Sequence, residues 1–126
     1  MAKTLRLKIG DVEAVVELLD NETADKLWEA APFESSAETW GDEVYFSTPA
    51  EAGLEDEFAR EVVEVGDVGF WPPGKAMCLF FGPTPISRPG EIRPASPVTL
   101  VGRLSSDPED LREVREGDGV RVERGG

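Results

Sequence analysis

Apolar and polar residues alternate through the first twenty positions of the chain, and this pattern predicts a β-hairpin. Every second residue is apolar in residues 4–9, and residues 12–19 return as a second strand. Gly10-Asp11 stands between the two runs, with glycine first, as a two-residue type II′ turn requires. We therefore expect the chain to open with two antiparallel strands.

Two later stretches have the signals of short helices. Asp20 or Asn21 is the predicted N-cap of the first helix, whose apolar residues follow helical spacing until Pro32 ends it. Asp107 and Pro108 begin the second, with acidic residues in its first turn. One helix is therefore expected early in the chain and one late.

Six more strands are predicted from apolar or alternating runs bounded by turn residues. They cover residues 43–47, 58–65, 68–71, 76–81, 98–104 and 120–123. Residues 76–81 are apolar at every position, which predicts a central strand or one whose outer face is covered by loops or a ligand. Ser35-Ser36 is expected to be a connector, and residues 49–57 form a predicted acidic loop.

Strand alternation sorts the residues of 43–47 into two faces. Val44 and Phe46 share one face. Glu43 and Tyr45 lie on the other, so they point outward or into a groove. An acid on a strand face is most often solvated, and the alternative is that Glu43 orients a polar ligand beside Tyr45.

Residues 69–85 have the strongest sequence character in the chain. They contain four of the ten aromatic residues, a double-proline turn at Pro72-Pro73 and a second stiff loop at residues 82–85. Stiff aromatic loops beside a buried strand suit a preformed binding surface. Trp71 is expected either to stack on the end of the fold or to offer an aromatic platform to a ligand.

Length and composition limit the classes of protein. The 126 residues and 40% hydrophobic content predict a single domain, residues 1–126, with its own core. Cys78 is the only cysteine and there is no histidine, so we expect no disulfide, no metal site and no cofactor. No secretory signal or apolar run of ~20 residues is evident, and a cytoplasmic location is expected.

The charge balance is strongly acidic, with 26 acidic against 13 basic residues and a formal charge of −13. This balance disfavours nucleic acids and anionic membranes as partners. Two explanations stay open. The first is a soluble protein that self-repulsion keeps monomeric or weakly dimeric, and the second is a halophilic protein adapted to a high-salt cytoplasm.

Four motifs resemble those of the small prokaryotic cyclophilin-like family, a domain family of unknown function. They are Trp40-Gly41-Asp42-Glu43-Val44-Tyr45-Phe46, Val65-Gly66-Asp67, Trp71-Pro72-Pro73-Gly74 and Phe80-Phe81-Gly82-Pro83-Thr84-Pro85. More distantly the chain is similar to true cyclophilins, which are peptidyl-prolyl cis/trans isomerases. The resemblance implies a mainly β fold, a closed eight-stranded cyclophilin-like barrel with two short capping helices.

The catalytic residues of cyclophilins do not carry over with the resemblance. Their arginine lies on the strand after the first helix, but residues 27–59 contain nine acids and no Lys or Arg. The groove glutamines and histidine are also missing, since the chain has neither residue type. Arg93 is the one candidate for a replacement polarising group. Phe81 fits the proline-pocket phenylalanine, and Leu79 is expected on its face, although both residues also suit a core position.

Three hypotheses for function follow. The first is a non-enzymatic barrel that binds a proline-containing peptide segment or a small molecule in an apolar groove. The second is a divergent prolyl isomerase that uses Arg93, and the third is a different enzyme that uses two converging carboxylates. The candidate ligand-binding residues are Glu43, Tyr45, Trp71, Leu79, Phe81, Thr84 and Ser96. The hydroxyls of Thr84 and Ser96 are expected either to donate to a ligand or to stabilise their own turns.

The salt-adaptation hypothesis makes the first testable prediction. Screening weakens repulsion among surface acids, so the melting temperature should rise between dilute buffer and molar potassium chloride. Scanning calorimetry across a potassium chloride series measures this. A melting temperature that stays constant or falls would contradict the hypothesis.

Overall fold

A computed structural model describes residues 3–125 of the chain. Within these residues the chain forms ten strands, one α-helix and three 3₁₀ helices. The strands are β1 Thr4–Ile9, β2 Val12–Leu18, β3 Phe33–Ser36, β4 Glu38–Thr39, β5 Glu43–Ser47, β6 Ala59–Arg60, β7 Asp67–Trp71, β8 Ala76–Phe80, β9 Val98–Leu104 and β10 Gly119–Arg124. The α-helix α1 is Glu22–Ala30, and the 3₁₀ helices are Asp56–Phe58, Pro72–Gly74 and Pro108–Glu113. None of the helices in this part of the chain is long and apolar enough to cross a membrane.

The strands form one antiparallel sheet in the order β3-β10-β1-β2-β9-β7-β8-β5-β4, with β6 paired to β9. The mainly β class is therefore confirmed. The closed eight-stranded barrel is not confirmed, because the ladder is an open path with β3 and β4 at its ends within residues 3–125. The end strand β3 approaches β5, the strand next to the other end, where Ser35 Oγ lies 3.4 Å from Ser47 Oγ.

The opening hairpin and first helix agree with the sequence pattern. Ile9 pairs directly with Val12 across the two-residue turn, and Gly10 has a φ of 59°, as the first position of a type II′ turn needs. Of the two candidate caps, Asn21 is the one used, since its side-chain oxygen accepts a hydrogen bond from the Ala24 amide at 2.8 Å.

Two strand predictions are wrong in detail. Ser35-Ser36 is not a connector, because both residues pair with β10 and extend β3. The strand predicted over residues 58–65 shrinks to Ala59–Arg60 and an isolated bridge from Val63 to Ile92. Its β-branched residues favour extended backbone. Only Val63 among its valines is buried, however, so little packing stabilises a longer ladder there.

The predicted late helix has the expected cap but a tighter geometry. Asp107 Oδ1 accepts a hydrogen bond from the Glu109 amide at 3.0 Å, and Pro108 follows it at the first position. The segment Pro108–Glu113 is a 3₁₀ helix, and Leu111 is its buried residue. Six residues with one buried side chain present too narrow an apolar face for a packed α-helix.

The sheet separates two apolar clusters, and β8 contributes to both. Met77 and Leu79 belong to the main core on the inner face, which also buries the apolar side chains of β1 and β2. The second cluster lies on the outer face and contains Val63, Ala76, Cys78, Phe80, Ile92 and Val98, with Tyr45 and Trp71 packed against it. All five residues of β8 are buried, which confirms a covered central strand.

Candidate functional site

A cavity of about 300 Å³ opens on the outer face of the sheet, where β5, β7 and β8 run side by side. We call it the outer pocket. It is lined by Trp40, Glu43, Tyr45, Trp71, Cys78, Pro94, Ala95 and Val98. Three of these eight residues are aromatic, one is a carboxylic acid and none is basic. Its walls are thus mainly apolar, with a single group that carries charge near neutral pH.

Strand alternation on β5 places Glu43 and Tyr45 in the outer pocket. Val44 and Phe46 are fully buried on the opposite face, so the predicted division of this strand is confirmed. Tyr45 pairs with Cys78 of β8, which brings the thiol to the same outer face as Glu43. The side-chain groups of two neighbouring strands therefore converge on one cavity.

A tight turn before β5 fixes the position of Trp40. The Asp42 amide donates to Pro83 O at 2.9 Å, and the Trp40 amide donates to Glu43 O at 3.0 Å. Gly41 has a φ of 59°, and a Cβ atom there would lie 2.8 Å from Pro85 Cδ, so only glycine permits this approach. Trp40 is thus held at the edge of the outer pocket by the Pro83–Pro85 loop.

Trp71 is fixed on two sides. Its Nε1 donates a hydrogen bond to Ser96 Oγ at 2.6 Å. Its six-membered ring lies against Gly74, where an added Cβ atom would come within 2.8 Å of Trp71 Cε3. Ser96 itself does not line the cavity, and its role in the structure is to orient the indole. Trp71 therefore packs at the end of β7 and also lines the outer pocket, while its role as a platform for a ligand stays a prediction.

Glu43 is a buried acid whose charged form is disfavoured. Its exposed fraction is 5%, and this burial raises its pKa from the ordinary 4.5 to about 7, against a smaller lowering by a hydrogen bond with the Cys78 thiol. The pKa of Cys78 is raised too, by burial first and then by Glu43. Cys78 is consequently protonated near neutral pH, whereas Glu43 is present in both forms.

The segment of residues 82–97, which we call the covering segment, closes one side of the outer pocket with Pro94 and Ala95. Thr84 fastens this segment, because its hydroxyl donates to Arg93 O. Ser87 Oγ accepts from the Thr84 amide and the Arg93 amide, each at 2.9 Å. The Val63 amide donates to Ile92 O at 2.9 Å and ties the segment to its neighbour. Thr84 thus stabilises the cover and does not line the cavity.

Arg93 does not reach the outer pocket lining. Its Nε donates to Glu91 Oε2 at 2.7 Å, and its Nη2 donates to Glu91 Oε1 at 3.2 Å. This two-point contact raises the pKa of Arg93 and lowers that of Glu91. The one candidate for a polarising arginine is therefore engaged by an acid of its own loop.

Leu79 and Phe81 lie on the wrong face for the groove floor that the resemblance implied. Leu79 is fully buried in the main core, and Phe81 packs against the same core with the Arg112 guanidinium 5.2 Å from its ring. The outer face of β8 belongs instead to its even-numbered residues, including Cys78. The lining residues missed from the sequence are Trp40, Cys78, Pro94, Ala95 and Val98.

No metal site accompanies this cavity. Within residues 3–125 no group of three or more His, Cys, Asp or Glu side chains is placed to hold a metal ion. Glu43 and Cys78 are the only two such residues in the lining of the outer pocket. What the arrangement offers a ligand is aromatic surface and one carboxyl group.

Comparison with known proteins agrees with the motifs in the sequence. The chain matches the cyclophilin-like family over residues 3–123, and it therefore belongs to that family. It is also similar to the solution structure of a hypothetical protein from Archaeoglobus fulgidus, with 45% identity and a TM-score of 0.83 over 98% of this chain and 95% of that chain. A search of curated proteins gives no match. Membership of the family fixes the fold and leaves the ligand to be argued from the outer pocket.

The burial of Glu43 generates a prediction about stability. Its pKa is higher in the folded than in the unfolded state, so the folded protein loses stability as pH rises from about 4.5 through 7, and the full cost is present above that range. Glu43→Gln removes this cost. The free energy of unfolding of the variant minus that of the wild type should therefore increase by on the order of 2–3 kcal/mol from pH 5 to pH 8.

Urea unfolding at the two pH values measures the difference. Glu17→Gln is the matched control, because it removes one negative charge from an exposed position on β2. Its difference from the wild type should stay nearly constant with pH. An equally constant difference for Glu43→Gln would contradict the burial of an ionisable Glu43.

Proposed function

We propose that this protein binds a small molecule, or one side chain of a peptide, in the outer pocket without classical isomerase chemistry. The observation that carries the proposal is a cavity of about 300 Å³ between three aromatic side chains on a covered sheet face. Ligand pockets are typically ~300–1,000 Å³ and mainly apolar, with a few polar groups that orient the ligand. The outer pocket is at the small end of that range, which suits one compact group.

The support of the walls is a second argument for binding. The bond from Trp71 to Ser96 and the docking of the turn at Gly41 hold two of the aromatic rings in place without a ligand. A preformed site loses less side-chain entropy on binding, so more of its contact energy appears as affinity. A merely structural cluster needs no such cavity between its rings, since close packing is the ordinary state of an apolar cluster.

A proline ring is one compact group of suitable size, so proline-containing peptides remain the first peptide ligands to test. Isomerase activity is the alternative function. It requires a group that polarises the amide, and the Arg93 guanidinium is bound to Glu91. One experiment distinguishes simple ligand binding from isomerase activity.

The test is an NMR titration of ¹⁵N-labelled protein with a short Ala-Pro peptide and with neutral probes such as phenol and cyclopentanol. The three tryptophans give three indole signals. We expect shifts of the Trp40 and Trp71 signals, while Trp28, which lies on α1 outside the cavity, provides the internal control. Exchange spectroscopy on the peptide reports any acceleration of cis/trans exchange.

Clustered shifts without faster exchange would support a binding domain, and faster exchange would favour the isomerase. If no small-molecule probe, neutral or charged, and no peptide moves the Trp40 or Trp71 signals, the proposed function is wrong. As a matched variant, Tyr45→Leu should weaken binding several-fold because one aromatic wall is removed. Trp28→Phe should leave the affinity unchanged.

A further inference from the structure

We propose that the outer pocket selects a ligand with a substituted ammonium group, such as a quaternary amine. The inference rests on the proposed binding function and names the class of ligand for the same site. It is argued from three features: the aromatic walls, the buried acid and the absence of a basic side chain in the lining.

The aromatic walls have the composition of a cation-binding cage. Trp40, Tyr45 and Trp71 all border the cavity. The face of an aromatic ring attracts a cation within about 6 Å of its centre, tryptophan most strongly, and methylated ammonium ions are bound between such rings. Their methyl groups also bury apolar surface in a mainly apolar cavity, and this burial stabilises the bound state.

The chain already places cations over aromatic rings outside the outer pocket. Lys3 Nζ and Arg124 Cζ lie 5.7 and 5.6 Å from the centre of the Trp28 ring. Arg112 lies 5.2 Å from the Phe81 ring. Among the residues that the structure describes, no corresponding contact occupies the rings of the outer pocket. No Lys or Arg of the described chain therefore competes with a ligand for these rings.

The buried Glu43 carboxyl supplies the charge that distinguishes a cation from a neutral group. A buried carboxylate is costly unless it is paired, and no Lys or Arg lines the outer pocket. The neighbouring Cys78 offers a thiol and no positive charge. An ammonium ligand between the rings would provide the missing counter-charge beside the carboxyl group.

Acidic residues around the outer pocket also favour a positively charged ligand. Glu38 lies opposite Tyr45 on β4, and Glu116 Oε1 accepts from the Thr39 amide at 3.3 Å. The pKa of Tyr45 is raised by burial first and then by the charges of the nearby acids Glu38, Glu43 and Glu116. With a formal charge of −13, the protein also attracts cations over longer range.

The experiment compares choline with 3,3-dimethylbutan-1-ol, which has the same shape but a carbon atom in place of the charged nitrogen. Binding is followed at pH 8 by the indole signals of Trp40 and Trp71. We expect choline to bind about tenfold more tightly than the alcohol. Glu43→Gln should reduce that preference to the smaller part that the aromatic rings supply, whereas the charge-matched Glu17→Gln should retain it in full.

The pH dependence gives a second readout. Choline favours the ionised form of Glu43, so its affinity should fall between pH 8 and pH 6, and the fall should disappear in Glu43→Gln. The other titratable groups near Glu43 are Cys78 and Tyr45 in the lining, with Glu38 and Glu116 beyond Tyr45. The covering segment presents only Pro94 and Ala95 to the cavity, so it adds no titratable group there.

Equal affinity for choline and the alcohol would overturn the cation inference and leave the proposed binding function standing. Tighter binding of the alcohol, or no binding of choline at all, would overturn it as well. The proposed function fails separately, when neither the peptide, nor the neutral probes, nor choline binds. Because the two ligands are compared on the wild-type protein, the inference can be contradicted even if Glu43→Gln does not fold.

Discussion

The covering of β8 on both faces is the constraint on which the rest of the structure depends. The inner face belongs to the main core, as in any sheet with one buried side. The outer face carries Cys78 and Phe80, which would be exposed apolar surface if the covering segment were absent. The bonds of Thr84 and Ser87 to the backbone at Arg93 hold that segment down. The outer face of the sheet therefore carries a second, smaller apolar cluster, and the outer pocket lies beside it.

The outer pocket is the part of this outer face that the covering segment leaves unfilled. Its acid, Glu43, is the least favourable residue to place there, because burial disfavours the charge that a carboxyl group normally carries. An apolar residue of similar size would pack without this cost. Acids with a strongly shifted pKa are common at sites where the acid contacts a ligand. The cationic ligand class follows from the same observation. A positive ligand would offset the cost of the buried Glu43 charge, and no basic side chain of the lining does so.

The sequence was informative wherever one periodicity decided the structure. The bounds of β1, β5 and β9 coincide with the predicted runs, and the position of Glu43 beside Tyr45 follows from alternation alone. It left Leu79 and Phe81 undecided between the core and a pocket, because a strand that is apolar at every position does not reveal which alternate residues face the main core. Cys78 became visible only with the register between β5 and β8, and Trp40 only with the turn that docks on the Pro83–Pro85 loop. The strands β3 and β4 were missed, since Ser35-Ser36 and Glu38-Thr39 show no apolar alternation.

The most direct measurement is the titration of the Glu43 side-chain carboxyl carbon by ¹³C NMR, in the free protein and with choline. The burial seen in the structure predicts a midpoint near 7 in the free protein. A bound cation should move that midpoint to lower pH, because it favours the ionised carboxylate. A midpoint close to 4.5 in the free protein would contradict both the buried acid and the ligand class inferred from it.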